Sequence, residues 1–288
     1  MDLTQTIHRE DRGPASKTPA DVMPEVRRPG FKFTDDLPRW WWGNDPVRTL
    51  LLCALSASFP PGERFFIHSV RHYQDKIEDP ELQDAVRRFI GQEAQHSKEH
   101  NGLNRFLLER GVDVGAVEER IQKLIDKMRE EYSPERQLAH TVAVEHFTAL
   151  LSEELLLKYD DAVGDMDPRI APIWAWHAIE ETEHKAVAFD VYRAIGGSEA
   201  TRIREMLLVS VLFPMNTTIS LVRLMREAGE LGNVRAWRSA LAWFWVRPGA
   251  LRKMIPAYLR FYAPGFHPWQ LDTRAMVAKA KARWLPAM

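Results

Sequence analysis

The feature that most constrains this chain is a motif that occurs twice. Glu93-Ala-Gln-His96 and Glu181-Thr-Glu-His184 each place a glutamate three residues before a histidine. On a helix of 3.6 residues per turn, positions i and i+3 share a face, so each motif aims a carboxylate and an imidazole at one point. A single copy is weak evidence, because Glu and His are common on solvated helices. Two copies, each preceded by a Glu in an apolar setting, say much more. Glu63 lies in Pro61-Gly-Glu63-Arg-Phe-Phe-Ile67, and Glu145 lies in Val142-Ala-Val-Glu145-His-Phe-Thr-Ala-Leu150. The order Glu, Glu-x-x-His, connection, Glu, Glu-x-x-His is that of a carboxylate-bridged metal pair inside a helical bundle.

The donor set has a physical logic. Four carboxylates and two imidazoles carry a charge that two divalent ions neutralise, whereas the same acids left empty in a core repel one another. Oxygen-rich donors with one imidazole per ion suit Fe or Mn better than a tetrahedral structural zinc, and the only cysteine, Cys53, is not among them. Two Fe ions are therefore expected at Glu63, Glu93, His96, Glu145, Glu181 and His184, and Mn or a mixed Fe/Mn pair is compatible with the same donors.

The rest of the text supports an all-α, ferritin-like four-helix bundle with a C-terminal helical extension. In a chain of 288 residues, apolar side chains recur at three and four positions from residue 46 to about 200. Core helices are expected over Pro61–Ile77, Pro80–Arg110, Pro134–Tyr159 and Asp167–Ile195, with a charged connecting helix over 113–131. This gives three regions. Residues 1–45 are an N-terminal tail and irregular packing segment, in which residues 1–30 read as mobile and without a site. Within 31–45, Phe31–Trp42 ends in three consecutive Trp. Residues 46–200 are the di-metal bundle, and residues 201–288 are a basic, Trp-rich extension that covers it. Met206–Val222 lacks charge, but Pro214, Asn216 and neighbouring hydroxyls make it too polar and slightly short for a membrane span. A buried, Pro-kinked helical hairpin is the reading preferred for it.

Other residues near the motifs invite roles. His100, one turn after His96, and His177, one turn before Glu181, fall on the same stripes and are candidates for proton transfer or an extra ligand. His68 and His72 are rotated away from Glu63, and His146 must point away from Glu145. Glu180 and Glu183 are expected to be solvated, and Trp174 and Trp176 to pack in the core.

The six donors resemble the ligand set of the ferritin-like di-iron carboxylate superfamily, over roughly residues 60–195. More closely, Ala54-Leu-Ser-Ala-Ser-Phe-Pro-Pro-Gly-Glu63, Phe89-Ile-Gly-Gln-Glu93-Ala-Gln-His96 and His177-Ala-Ile-Glu-Glu181-Thr-Glu-His184-Lys are similar to a bacterial family labelled predicted metal-dependent hydrolases, as is Phe266-His-Pro-Trp269. The resemblance implies Glu63 and Glu145 as terminal ligands and Glu93 and Glu181 as bridges. It also exposes two departures: His100 stands where reductase subunits of the superfamily carry a radical tyrosine, and Ala149 where oxygenases often carry a threonine, with Thr148 adjacent.

Three functions follow in order of preference: oxygen-dependent oxidation of an apolar or acyl substrate, served by an electron donor; hydrolysis by metal-activated water; and non-enzymatic metal binding at a membrane. Residues 201–288 hold 14 Lys+Arg and 4 Asp+Glu, so contact with an anionic acyl substrate or a membrane surface through 201–270 is an expectation. The acidic bundle half and the absence of a recognition motif argue against nucleic acid. A lone cysteine and no recognisable leader suggest a cytoplasmic chain, peripheral at most to the inner face of the membrane, and self-association is left open.

Overall fold

The computed structural model describes residues 18–19, 22–158 and 164–285. It is all-α, and among the described residues the only β contact is a single bridge between Trp42 and Met166. Helix α1 spans Pro46–Arg71, α2 Pro80–Glu109, α3 Val114–Glu131 and α4 Pro134–Leu151. A π-helical turn, Ser152–Leu157, continues α4. Helices α5 (Ala171–His184), α6 (Val187–Ala194), α7 (Glu199–Glu227), α8 (Val234–Trp245), α9 (Ala250–Arg260) and α10 (Arg274–Trp284) complete the chain.

The starts of these helices are written locally. Asp45, Asp79 and Ser133 each accept backbone N–H bonds of the turn that follows, and a proline occupies the first helical position after each. The first core helix nevertheless begins earlier than Pro60-Pro61 suggests. Both prolines lie inside α1, although each removes a helical N–H. The carbonyl of Ser56, which Pro60 cannot serve, instead accepts a bond from the Asn104 side-chain amide at 3.1 Å.

The fourth core helix is likewise not the single element expected over Asp167–Ile195. It breaks after His184, where the buried Lys185 ammonium donates to Glu153 Oε1, the Leu271 carbonyl and the Thr273 hydroxyl, all within 3.0 Å. The third helix becomes a π turn before its expected end, and Tyr159 lies outside the described residues.

Two apolar clusters divide the bundle by height. The first takes Leu50–Ala57 of α1, Leu103–Leu107 of α2 and Ile173–Trp176 of α5; the second takes Phe65–Val70 of α1, Val86–Phe89 of α2, Leu138–Ala143 of α4 and Val187–Tyr192 of α6. Between them, on α1, α2, α4 and α5, lie the chemically active residues. A polar layer is thus held at mid-height by apolar layers on either side, and α1 and α2 traverse the layers in opposite directions, as antiparallel neighbours must.

The N-terminal segment departs from the expected mobile tail. Residues 1–17, most of that expected tail, lie outside the described residues, but Val22 and Pro24 are buried and residues 22–45 run along the bundle. Trp41 stacks on Trp174 and Trp42 meets the edge of Trp243, so the Trp triplet bridges the bundle and α8. Helix α7 also differs from a buried hairpin. It continues through Pro214 as one helix, with one face against α1 and α4 and the other exposed.

Candidate metal centre

All six residues singled out by spacing converge. Glu63, Glu93, His96, Glu145, Glu181 and His184 are each at most 3 % exposed, in the polar layer where α1, α2, α4 and α5 meet. His184 Nε2 lies 3.2 Å from Glu93 Oε1 and 3.4 Å from Glu145 Oε2. Glu181 Oε1 lies between the two motif histidines, 3.6 Å from His184 Nε2 and 3.7 Å from His96 Nδ1. Donor atoms of Glu93, Glu181 and His184 fall within 4.8 Å of one another, and so do those of Glu63, His96 and His177. Two three-residue groups therefore sit side by side, with Glu181 between the motif histidines. The second group holds His177, which the spacing had offered as an extra ligand or a proton-transfer group.

The chemistry of this donor set fits divalent metal. Glu63 Oε1, both oxygens of Glu93 and Glu145, Glu181 Oε2, both nitrogens of His96 and His184 Nε2 are buried with no hydrogen-bond partner among the described residues. Buried polar atoms without partners cost free energy, and native proteins seldom tolerate so many in one place. Burial, together with the neighbouring carboxylates, drives Glu93 and Glu145 well above the usual carboxylate range; burial and Glu181 do the same to Glu63 against the hydroxyl of Ser97, 2.7 Å away. Burial would also raise Glu181, but the bond from His177 and the adjacent His184 imidazole pull it well below. Cations between these carboxylates would satisfy the orphaned atoms and offset the repulsion together.

Neighbouring groups orient the motif histidines. His184 Nδ1 is 2.9 Å from Gln92 Oε1, so the amide accepts from that nitrogen and leaves Nε2 bare toward Glu93 and Glu145. Gln92 in turn donates to Glu183 Oε2 at 2.9 Å. His100 and His177 extend inward from Glu181 as a hydrogen-bonded line. His177 Nε2 lies 3.1 Å from Glu181 Oε1, His177 Nδ1 is 2.8 Å from His100 Nε2, and His100 Nδ1 is 2.9 Å from Ser56 Oγ. The Asn104 amide donates to the Ser56 carbonyl, so its Oδ1 accepts the Ser56 hydroxyl proton. Ser56 must then accept from His100 Nδ1–H, and His100 Nε2 from His177 Nδ1–H. Burial lowers His100 well below its ordinary value, which agrees with this neutral tautomer.

Two expectations for the surroundings fail. Glu180 and Glu183 are buried rather than solvated. Arg27, from the segment expected to hold no site, places its guanidinium 3.0 Å from Glu180 and 2.9 Å from Glu183, and Lys281 of α10 reaches Glu183 as well. Burial holds Glu180 up to about 8 despite Arg27. For Glu183 burial is outweighed by its bonds from Arg27 and Lys281, and its carboxyl titrates below the usual range. Other acids outside the donor set, among them Glu99, Glu153 and Glu205, are also buried, each beside a backbone N–H or a cation. Spacing along one helix carries no trace of such partners, because Arg27 is more than 150 residues from Glu183. Ser56, Ser97 and Asn104 carry one faint signal: each is a small polar residue on an otherwise core-facing helical stripe.

A cavity of about 390 Å³ leads to the centre. Glu63 and Glu181 line its inner end with Phe59, and Val209, Leu212 and Met215 of α7 line its outer part. Its wall is predominantly apolar, which suits a hydrocarbon chain. Thr148 borders it, but its hydroxyl donates to the Glu145 carbonyl at 3.1 Å.

An all-α bundle with paired Glu-x-x-His groups in a buried polar layer defines a class of candidate metal-binding helical proteins. Within that class, the chain matches the family model described as predicted metal-dependent hydrolase over residues 25–272, and it belongs to that family. No curated protein and no solved structure matches it.

Proposed function

We propose that this protein is a dinuclear metal enzyme that hydrolyses an ester-type bond in a substrate with a long apolar chain. The observation that carries the reading is the set of orphaned carboxylate and imidazole atoms at the inner end of an apolar cavity. The family description supports hydrolysis ahead of oxidation, reversing the order suggested by the donor types alone. Glu63, His96 and His177 would hold one ion, Glu93, Glu145 and His184 the other, and Glu181 would join them. Two divalent ions so held supply an acidified water and a Lewis acid for a carbonyl or phosphoryl oxygen.

The chain's own groups do the rest. Phe59, Val209 and Leu212 bind the apolar part and exclude water. Gln92 fixes the His184 tautomer. With its Nε2 turned to the ion, His177 would be oriented by the line from its Nδ1–H through His100 to Ser56, which ends in a buried amide and holds its protons inside the protein.

A second reading, oxygen-dependent oxidation of the same apolar chain, is favoured by a donor set rich in oxygen and free of thiolate, which suits Fe. One experiment separates the two. The metal-free protein is loaded under argon with Mn(II) or Zn(II) and assayed on p-nitrophenyl esters and phosphodiesters, and a second sample is loaded with Fe(II) and then given oxygen. Turnover under argon, faster with longer acyl chains, is expected. No hydrolysis with any metal, together with an oxygen-dependent visible spectrum and oxygen consumption, would replace hydrolysis by oxidation.

A further inference from the structure

Helix α7 contains the long uncharged run, and the fold divides it lengthwise. Met206, Val209, Leu221, Leu224 and Met225 are buried against the bundle, whereas Leu207, Val211, Met215 and Ile219, spaced four apart, are 44–61 % exposed. By length and composition this helix could cross a membrane. It cannot be surrounded by lipid, because Arg120 of α3 bonds Asn216 and Ser220 on it, and Arg136 of α4 bonds its buried Glu205. What remains is an apolar stripe of four side chains facing outward.

The two helices that follow, packed on each other, add exposed apolar side chains. Ser210 of α7 lies 2.8 Å from the Tyr258 hydroxyl of α9, which brings the exposed Ile255 and Leu259 of α9 alongside, and α8 exposes Leu241 and Trp245. Between Glu230 and Asp272 the chain has six cations (Arg235, Arg238, Arg247, Arg252, Lys253 and Arg260) and no acid, and all six are exposed. Exposed aliphatic side chains and Trp among cations are the composition of helices that lie in the headgroup plane of a bilayer. A second copy is a poor occupant of this face, since a two-fold contact would set these cations against their equals.

We propose that α7, α8 and α9 dock the protein on an anionic phospholipid surface. The aliphatic stripe enters the headgroup boundary and the cations engage the lipid phosphates. Met215 belongs both to the stripe and to the outer wall of the cavity, so a hydrocarbon chain leaving the bilayer reaches Glu63 and Glu181 without crossing bulk water. Docking does not depend on which reaction the centre performs.

The test uses the full-length protein in co-sedimentation with vesicles of phosphatidylcholine alone or containing about 30 % phosphatidylglycerol, where basic residues near the surface add attraction. Binding at least about tenfold tighter to the anionic vesicles is expected, falling by a similar factor in ~0.5 M salt, where charges are screened within a few ångströms. Val211→Glu should abolish it, and Arg235→Glu with Arg238→Glu should weaken it about tenfold or more, since each cation contributes roughly a fivefold factor. Circular dichroism checks that both variants fold, and sedimentation velocity reports the oligomeric state. Equal or absent binding to the two vesicle types, variants that bind like the parent, or a dimer that Val211→Glu dissociates while no vesicle binding occurs would each overturn the proposal.

Discussion

Replacing Arg27 by Ala tests whether the N-terminal segment is part of the metal site. The guanidinium makes three contacts of 2.9–3.0 Å with Glu180 and Glu183, whose side chains are fully buried. Removing one partner of a buried ion pair costs about 3–5 kcal/mol when a bare charge is left behind. Here the lower end applies. Glu180, already raised to about 8, takes a proton at neutral pH, and Glu183 keeps Lys281 and Gln92. A loss of ~3 kcal/mol corresponds to a fall in Tm of about 6 °C for a chain of this size. The effect should also reach the metal, because Arg27 holds Glu183, Glu183 holds Gln92, and Gln92 orients His184. Groups that orient a ligand in this way are worth about tenfold or more in affinity. Thermal unfolding followed by circular dichroism reads the first effect, and competition with a chromophoric chelator reads the second. Arg27→Lys, which retains the charge but not the forked geometry, should recover part of both. A Tm within ~1 °C of the parent, with metal affinity unchanged, would refute the chain of contacts and return this segment to the role of passive cover.

Other outcomes follow from the same geometry. Glu145→Gln replaces a carboxyl that must take up a proton to be buried at neutral pH, so the metal-free variant should melt a few degrees higher than the parent, by about 1–2 kcal/mol, and lose the metal-induced rise in Tm; a variant that binds metal like the parent would remove Glu145 from the donor set. Glu63, Glu93 and Glu145 titrate well above the ordinary range, so at neutral pH the metal-free centre holds protons that metal must displace. Affinity should therefore rise with pH, by at least about tenfold between pH 6 and 7.5, with proton release measurable in weak buffer; affinity that is flat with pH would contradict these shifts. Leu212→Trp should narrow the cavity and weaken binding of a fluorescent fatty acid about tenfold while metal content stays constant; unchanged probe binding would place the apolar chain elsewhere.

What could be read from the sequence was what a single helix turn encodes. Glu93 and His96, or Glu181 and His184, share a face because of backbone periodicity, and Glu63 and Glu145 stand out because an acid in an apolar run needs a reason. The proline signals at Pro80 and Pro134 are equally local. The misjudged features depend on partners far along the chain. Pro60-Pro61 looks like a helix start until Asn104 takes over the abandoned carbonyl of Ser56. The fourth core helix looks continuous until Lys185 finds Glu153, the Leu271 carbonyl and the Thr273 hydroxyl. Glu180 and Glu183 look solvated until Arg27 and Lys281 cover them. The cavity depends on how α7 crosses α1 and α4, which no local pattern specifies.

The break at Lys185 has a dynamic consequence. His184 is the last residue of α5, and the next residue is tied to Leu271 and Thr273, which lead into α10; Lys281 of α10 returns to Glu183, beside His184. These links close a loop of contacts around the end of α5. Immobilising His184 should then slow opening of a helix that supplies no donor atom itself. Amide hydrogen exchange in Arg274–Trp284 is expected to become slower when metal binds and to keep its metal-free rate in Lys185→Met, which would make the C-terminal helix a distant reporter of occupancy at the centre.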